Sequence, residues 1–214
     1  MNIKEFNQVF IDRILGTISK QGFNYKKSRK VFECVNGEHL FFVFVYMYKR
    51  STFIEIETKA FYGNKGFTTE LKSKGIKLPY KHFCGGQLKF LSEYYLKKDF
   101  PEKYSNLIFM LNEEPECVVK DWLDYFDSII LPFLEDCKNP KLLNDIVNNI
   151  PIDKVGLNAT YQTRVFYSYF VGKRAGLKND ELLKLATQYE EELKSWGEDC
   201  NYLDEYLSLK KELF

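Results

Sequence analysis

Histidine is scarce in this chain: two residues, His39 and His82, among 214. Any histidine-based catalysis or metal binding must use one of these two. The five cysteines (Cys34, Cys84, Cys117, Cys137 and Cys200) are odd in number and scattered, with no CxxC spacing, so no motif-type zinc or redox site is written in the sequence. Glycine-rich phosphate loops are missing as well, since neither GxGxxG nor GxxxxGK[ST] occurs. No run approaches the ~18 apolar residues of a membrane span. The opening MNIKEFNQVF carries charges where a signal peptide needs an apolar core. Together these absences predict a cytoplasmic protein with reduced, mostly buried thiols.

What is abundant is aromatic. There are 19 Phe and 15 Tyr, and 45% of residues are hydrophobic, ample for a packed core without metal or disulfides. Buried Tyr needs a partner for its hydroxyl, so many of the tyrosines are expected at core edges or in grooves. Net charge is +1, unevenly placed along the chain. Residues 1–110 hold 19 Lys and Arg against 10 Asp and Glu, and residues 111–214 hold 12 against 20. Such polarity fits either a charged partner surface or attraction between the halves within one fold.

The chain is organised around residues 29–61, which read as three antiparallel strands. Lys30–Val35 is followed by Asn36-Gly37, a pair suited to a two-residue type I′ turn. Glu38–Tyr48 comes next, then a turn at Lys49-Arg50-Ser51, then Thr52–Phe61. The middle strand is apolar on both faces from Leu40 to Tyr46, as a covered central strand would be. The third alternates: Ile54, Ile56, Thr58 and Ala60 on one face, Glu55, Glu57 and Lys59 on the other, which predicts one wet face.

Before the sheet, Ile3, Phe6, Phe10, Ile14 and Ile18 recur at helical spacing, with Gly22 as the stop. Residues 62–81 read as a basic loop with a helical turn near Thr69–Lys74. Gln87–Tyr95 and Leu107–Leu111 are the fourth and fifth strand candidates, either of which also suits a helix. Helices then dominate: one opening at Pro115 that Pro132 should break or kink, one opening at Asn139-Pro140, and three more over Ala159–Arg174, Asp180–Trp196 (capped by Asn179) and Tyr202–Leu213.

The spacing of His82 and Cys84 in KHFCGGQLKF is the one chemistry-like pair, a thiolate–imidazole candidate. As a metal site it would need Cys34 and His39 as further ligands, and the ordinary reading is a turn with a buried thiol. Gly85-Gly86 suits a bulge or tight turn. Lys26, Lys27, Arg29 and Lys30, interleaved with Phe23 and Tyr25, form a basic edge able to meet a phosphate backbone, while lysines at a sheet edge also block edge-to-edge pairing.

The order of elements resembles a family of uncharacterised bacterial cytosolic domains. The resemblance is carried by Leu15 through Gly22-Phe23 into Lys26-Lys27-Ser28-Arg29-Lys30-Val31-Phe32, by the turn from His82 to Leu91, and by Pro132-Phe133-Leu134. It spans roughly residues 6–195, with Gly86-Gln87 standing where an arginine is expected. That family brings no assigned activity. Small bacterial α+β domains of this look include toxin-neutralising immunity proteins, an analogy of fold alone.

The expectation is therefore an α+β fold, with an N-terminal helix on a four- or five-stranded antiparallel sheet (residues 1–112) and a helical part (residues 113–214) packed on it. The leading functional expectation is a non-enzymatic, immunity-like module that binds a protein partner through Tyr48, Arg50, Glu55 and Glu57. Nucleic-acid binding at Lys26, Lys27, Arg29 and Lys30 and an enzyme using His82 and Cys84 are the alternatives. No cofactor, metal or membrane is implied, and oligomeric state is open.

Overall fold

The computed structural model describes residues 2–100, 106–149, 158–197, 200 and 202–214. The fold is α+β: an N-terminal helix, an antiparallel sheet, then a helical C-terminal half. The chain divides into two units, residues 1–62 with 85–135 and residues 63–84 with 136–214. No helix among the described residues is long and apolar enough to cross a membrane.

The first unit begins with α1 (Ile3–Ile18), whose free N-terminal N–H groups are met by Asn2. The Asn2 side chain accepts from Lys4 and Glu5, both at 3.0 Å, and Glu5 accepts in return from the Asn2 N–H at 3.1 Å, a reciprocal cap. Gly22 ends the segment in the left-handed region, φ 88°. The sheet follows: β1 (Asn24–Lys26), β2 (Val31–Asn36), β3 (His39–Lys49), β4 (Phe53–Asn64), β5 (His82–Gln87, within this unit from Gly85 on) and β6 (Leu107–Met110). Strand order is β1-β2-β3-β4-β5, with β6 also paired to β4. β6 runs along Phe53–Ile56, and Gly85 meets β4 farther along, at Ala60.

The β2–β3 hairpin differs from the expected turn by one residue. Asn36 pairs with His39, so the two-residue turn is Gly37-Glu38, with φ +62° at Gly37. Glycine first, then a residue of ordinary φ, is the type II′ pattern and not the Asn-Gly type I′ turn.

Residues on the inner side of the strands pack against α1 and α4 (Pro115–Tyr125). Trp122 is fully buried, with Phe126, Phe10 and Phe32 at 5.6, 6.2 and 6.2 Å between ring centroids. Phe6 stacks on Phe109 at 4.4 Å. Each such aromatic contributes about 1.5–3 kcal/mol through burial. Pro132 does not break its helix. After α4 the chain widens into a π turn (Phe126–Ile130) and continues as α5 (Leu131–Asp136). The widened turn changes the hydrogen-bond register, with the Leu131 N–H reaching Phe126, just ahead of the residue that has no N–H to give.

Residues 88–95 correct the fourth strand candidate. The strand is His82–Gln87, and Leu88–Phe90 (α3) and the π turn Leu91–Tyr95 are helical. Leu88, Phe90 and Leu91 are all buried, which the pattern read as strand permits equally on a helix. The Leu107–Leu111 candidate is a strand, as β6.

In the second unit, Asn64 ends β4 and caps α2 (Lys65–Ser73), accepting from the Phe67 N–H at 3.2 Å. This nine-residue helix replaces the expected loop with a single turn. Helices α6 (Pro140–Asn148), α7 (Asn158–Ala175), α8 (Asn179–Ser195) and α9 (Leu203–Leu213) form the rest. Two of their buried phenols are hydrogen-bonded across helices: Tyr189 to the Val147 carbonyl at 3.1 Å and Tyr206 to the Ala186 carbonyl at 3.1 Å. Asn139 caps α6 as expected. Asn179 is instead the first helical residue of α8, and the cap position falls to Lys178, whose N–H donates to Glu181 at 2.8 Å.

Candidate functional site

The four residues expected to meet a partner converge on the outer face of the sheet in the first unit. Alternation along β4 turns Ile54, Ile56, Thr58 and Ala60 inward, all buried, and leaves Glu55, Glu57 and Lys59 half-exposed outside. Tyr46 and Tyr48 stand on the same side of β3, and Arg50 projects from the turn between the strands.

Side chains lock these positions together. The Arg50 guanidinium donates to Glu55 at 2.6 Å, and Asn106 donates to the other Glu55 oxygen at 2.7 Å. Glu57 accepts from Tyr48 at 3.1 Å and from Gln87 at 2.9 Å, and pairs with Lys59 at 2.9 Å. Cations lie over the rings, Lys59 over Tyr46 at 5.7 Å and Arg50 over Tyr48 at 6.0 Å, where the ring quadrupole attracts them.

The titration of the carboxyls follows. Hydrogen bonds from Arg50 and then Asn106 hold Glu55 below its ordinary value. Burial pushes Glu57 up, but donation from Lys59, Gln87 and Tyr48 outweighs it, and the net shift is downward. Burial and the neighbouring Glu57 charge raise the Tyr48 phenol. The face is thus a fixed array of two anions, two cations and two phenols. Such an array offers hydrogen-bonding groups, charges and ring faces on one surface.

No family model, curated protein or solved structure matches this chain.

Sequence reasoning named Tyr48, Arg50, Glu55 and Glu57 but missed Gln87 and Asn106. These two reach Glu57 and Glu55 from β5 and from the residue preceding β6, and only the strand order reveals that. The basic edge is also assembled. Lys26 ends β1, Lys27–Arg29 form one 3₁₀ turn, and Lys30 sits at φ +51°. All four cations are exposed, with Arg29 paired to Glu33 at 2.5 Å.

His82 and Cys84 both lie on β5. Burial holds the His82 imidazole down to about 4, and its ring lies 5.2 Å from that of Tyr80. The Cys84 thiol is buried beside Cys137, whose own thiol burial and Cys84 push well up. Cys34 reaches the Gln21 carbonyl at 3.6 Å, and His39 Nδ1 shares a 2.8 Å hydrogen bond with Tyr62. No group of three or more His, Cys, Asp or Glu able to hold a metal occurs among the described residues.

Proposed function

We propose that the chain is a protein-binding module that receives its partner on the outer face of β3 and β4, at Tyr46, Tyr48, Arg50, Glu55, Glu57 and Lys59. The observation that carries this reading is the prior fixing of these side chains. Each charged group already has a partner within the face, so little rotamer freedom remains to be lost on association, which otherwise costs about 0.5–1.5 kcal/mol per side chain. Tyrosine and arginine are also the residue types that dominate binding hot spots. Tyr48 (43% exposed) and Met110 (39% exposed) give the face an apolar contribution. Toxin neutralisation in a bacterial cytoplasm is the narrower form of this proposal, and it uses the same surface.

The test compares the tagged chain with its E55K/E57K variant in pull-downs at low and high salt, with circular dichroism confirming that the variant is folded. A stoichiometric protein retained by the parent at high salt and lost by the variant supports the reading. Equal capture by both chains overturns it. Nucleic acid recovered only at low salt, and lost in K26A/K27A/R29A, replaces it with the basic edge, because counterion release makes phosphate contacts steeply salt-dependent.

A further inference from the structure

The second unit holds a cavity of about 110 Å³ between α2, the segment leading into β5, and α7. Its wall is apolar where Leu71 and Ile76 line it, both buried. Five polar side chains interrupt that wall: Tyr167 and Thr68 within, and Lys72, Tyr80 and Lys81 at exposed positions.

Tyr167 is fully buried, and its ring is fixed by stacking on Phe83 at 4.2 Å. Among the described residues its hydroxyl has one contact, Thr68 Oγ1 at 3.5 Å, at the outer limit of a hydrogen bond. Thr68 meanwhile donates to the Asn64 carbonyl at 2.9 Å. A buried phenol normally finds a good partner, and here the hydroxyl belongs to a residue lining a cavity. Burial raises its pKa, so it remains a donor at neutral pH. Neither Lys72 nor Lys81 forms an ion pair among the described residues.

We infer that this cavity binds a small aliphatic monocarboxylate. Its alkyl body lies on Leu71 and Ile76, and its carboxylate accepts from the Tyr167 hydroxyl under the charge of Lys72 and Lys81. Size sets the chain length: an apolar cavity of ~150 Å³ holds a benzene, so 110 Å³ suits about four or five carbons. A neutral or acetate-sized molecule meets only part of these features. The site is separate from the sheet face and does not depend on the reading given for it.

The experiment is a titration of the full ¹⁵N-labelled chain with sodium butyrate, followed by amide NMR. At the per-atom efficiencies of small ligands, saturation is expected with a dissociation constant on the order of 1 mM. Shifts should centre on Thr68, Leu71, Ile76 and Tyr80. Butyramide, the neutral isostere, and the K72A/K81A chain with butyrate should each bind about tenfold more weakly, since the charge-assisted contact is lost. Tyr167→Phe, which keeps the ring stack, should weaken butyrate binding without altering the rest of the spectrum. Failure to saturate by roughly 30 mM butyrate, shifts elsewhere in the chain, or equal affinity for butyramide would each overturn the inference.

Discussion

Trp122 has one polar atom and buries it completely. Its indole N–H donates to Thr58 Oγ1 at 3.0 Å, and Thr58 is 1% exposed. An unmet donor in such surroundings costs about 1–3 kcal/mol. Thr58→Val, nearly the same shape without the acceptor, should therefore lower the free energy of urea unfolding by that amount, while Thr58→Ser should lose less. Equal losses would mean that packing, not the hydrogen bond, matters at this position. The inward alternation of Thr58 with Ile54, Ile56 and Ala60 was legible from the sequence. Its acceptor role was not, because the donor lies 64 positions away. Gly85 shows the same limit. The Gly85-Gly86 pair reads locally as a bulge or turn, whereas the structure puts a would-be Cβ of Gly85 2.0 Å from the Ala60 carbonyl oxygen, at φ +146°.

Among the elements, the β2–β3 hairpin fixes the register of the sheet, and its turn is Gly37-Glu38. Register matters because a slip of one residue would exchange the two faces of every strand beyond it. A non-glycine residue in the left-handed region costs about 1–2 kcal/mol. Gly37→Ala should destabilise by that amount in denaturant melts, and Asn36→Ala, outside the turn, should change stability by less than about 0.5 kcal/mol. The reverse ranking would restore an Asn36-Gly37 turn. Elements with long periodic patterns (α1, β4 and α4) or a long apolar run (β3) were readable at once. α2 was not. Gly63, Gly66, Gly75 and Pro79 suggest a loop, and the buried side of the helix consists of Phe67 and Leu71 alone, too few for periodicity to outweigh them. The outer-face cluster was legible as an alternating row of Glu55, Glu57 and Lys59, but its locking by Gln87 and Asn106 depends on strand order, which local patterns do not encode.

For the whole molecule, the charge polarity of the sequence takes on a different meaning. Each unit draws segments from both halves of the chain. The first unit holds 15 Lys and Arg against 16 Asp and Glu, and the second holds 16 against 14. Poles of opposite sign along the chain therefore become two nearly neutral units, and net charge is no guide to a partner. Protonation is a more specific influence on stability, and His82 carries it in the second unit. Burial depresses its pKa to about 4, below the ~6.5 of an unfolded chain. Between these values the unfolded chain binds the proton and the folded one does not. The stabilisation is therefore complete above pH 6.5 and is lost as pH falls toward 4, roughly 3 kcal/mol in all. Below that, both states are protonated and the loss levels off. Glu55 and Glu57, held below the ordinary carboxylate range, weaken the fold only at still lower pH, so the window from about 4.5 to 6.5 separates the imidazole from these carboxyls. Urea unfolding followed across that window should show falling stability toward acid in the parent, and a His82→Gln chain should show a shallower slope over the same range. Parallel curves for the two chains would mean that His82 titrates normally in the folded protein, and its imidazole signal in NMR would then move near pH 6.5 instead of near 4.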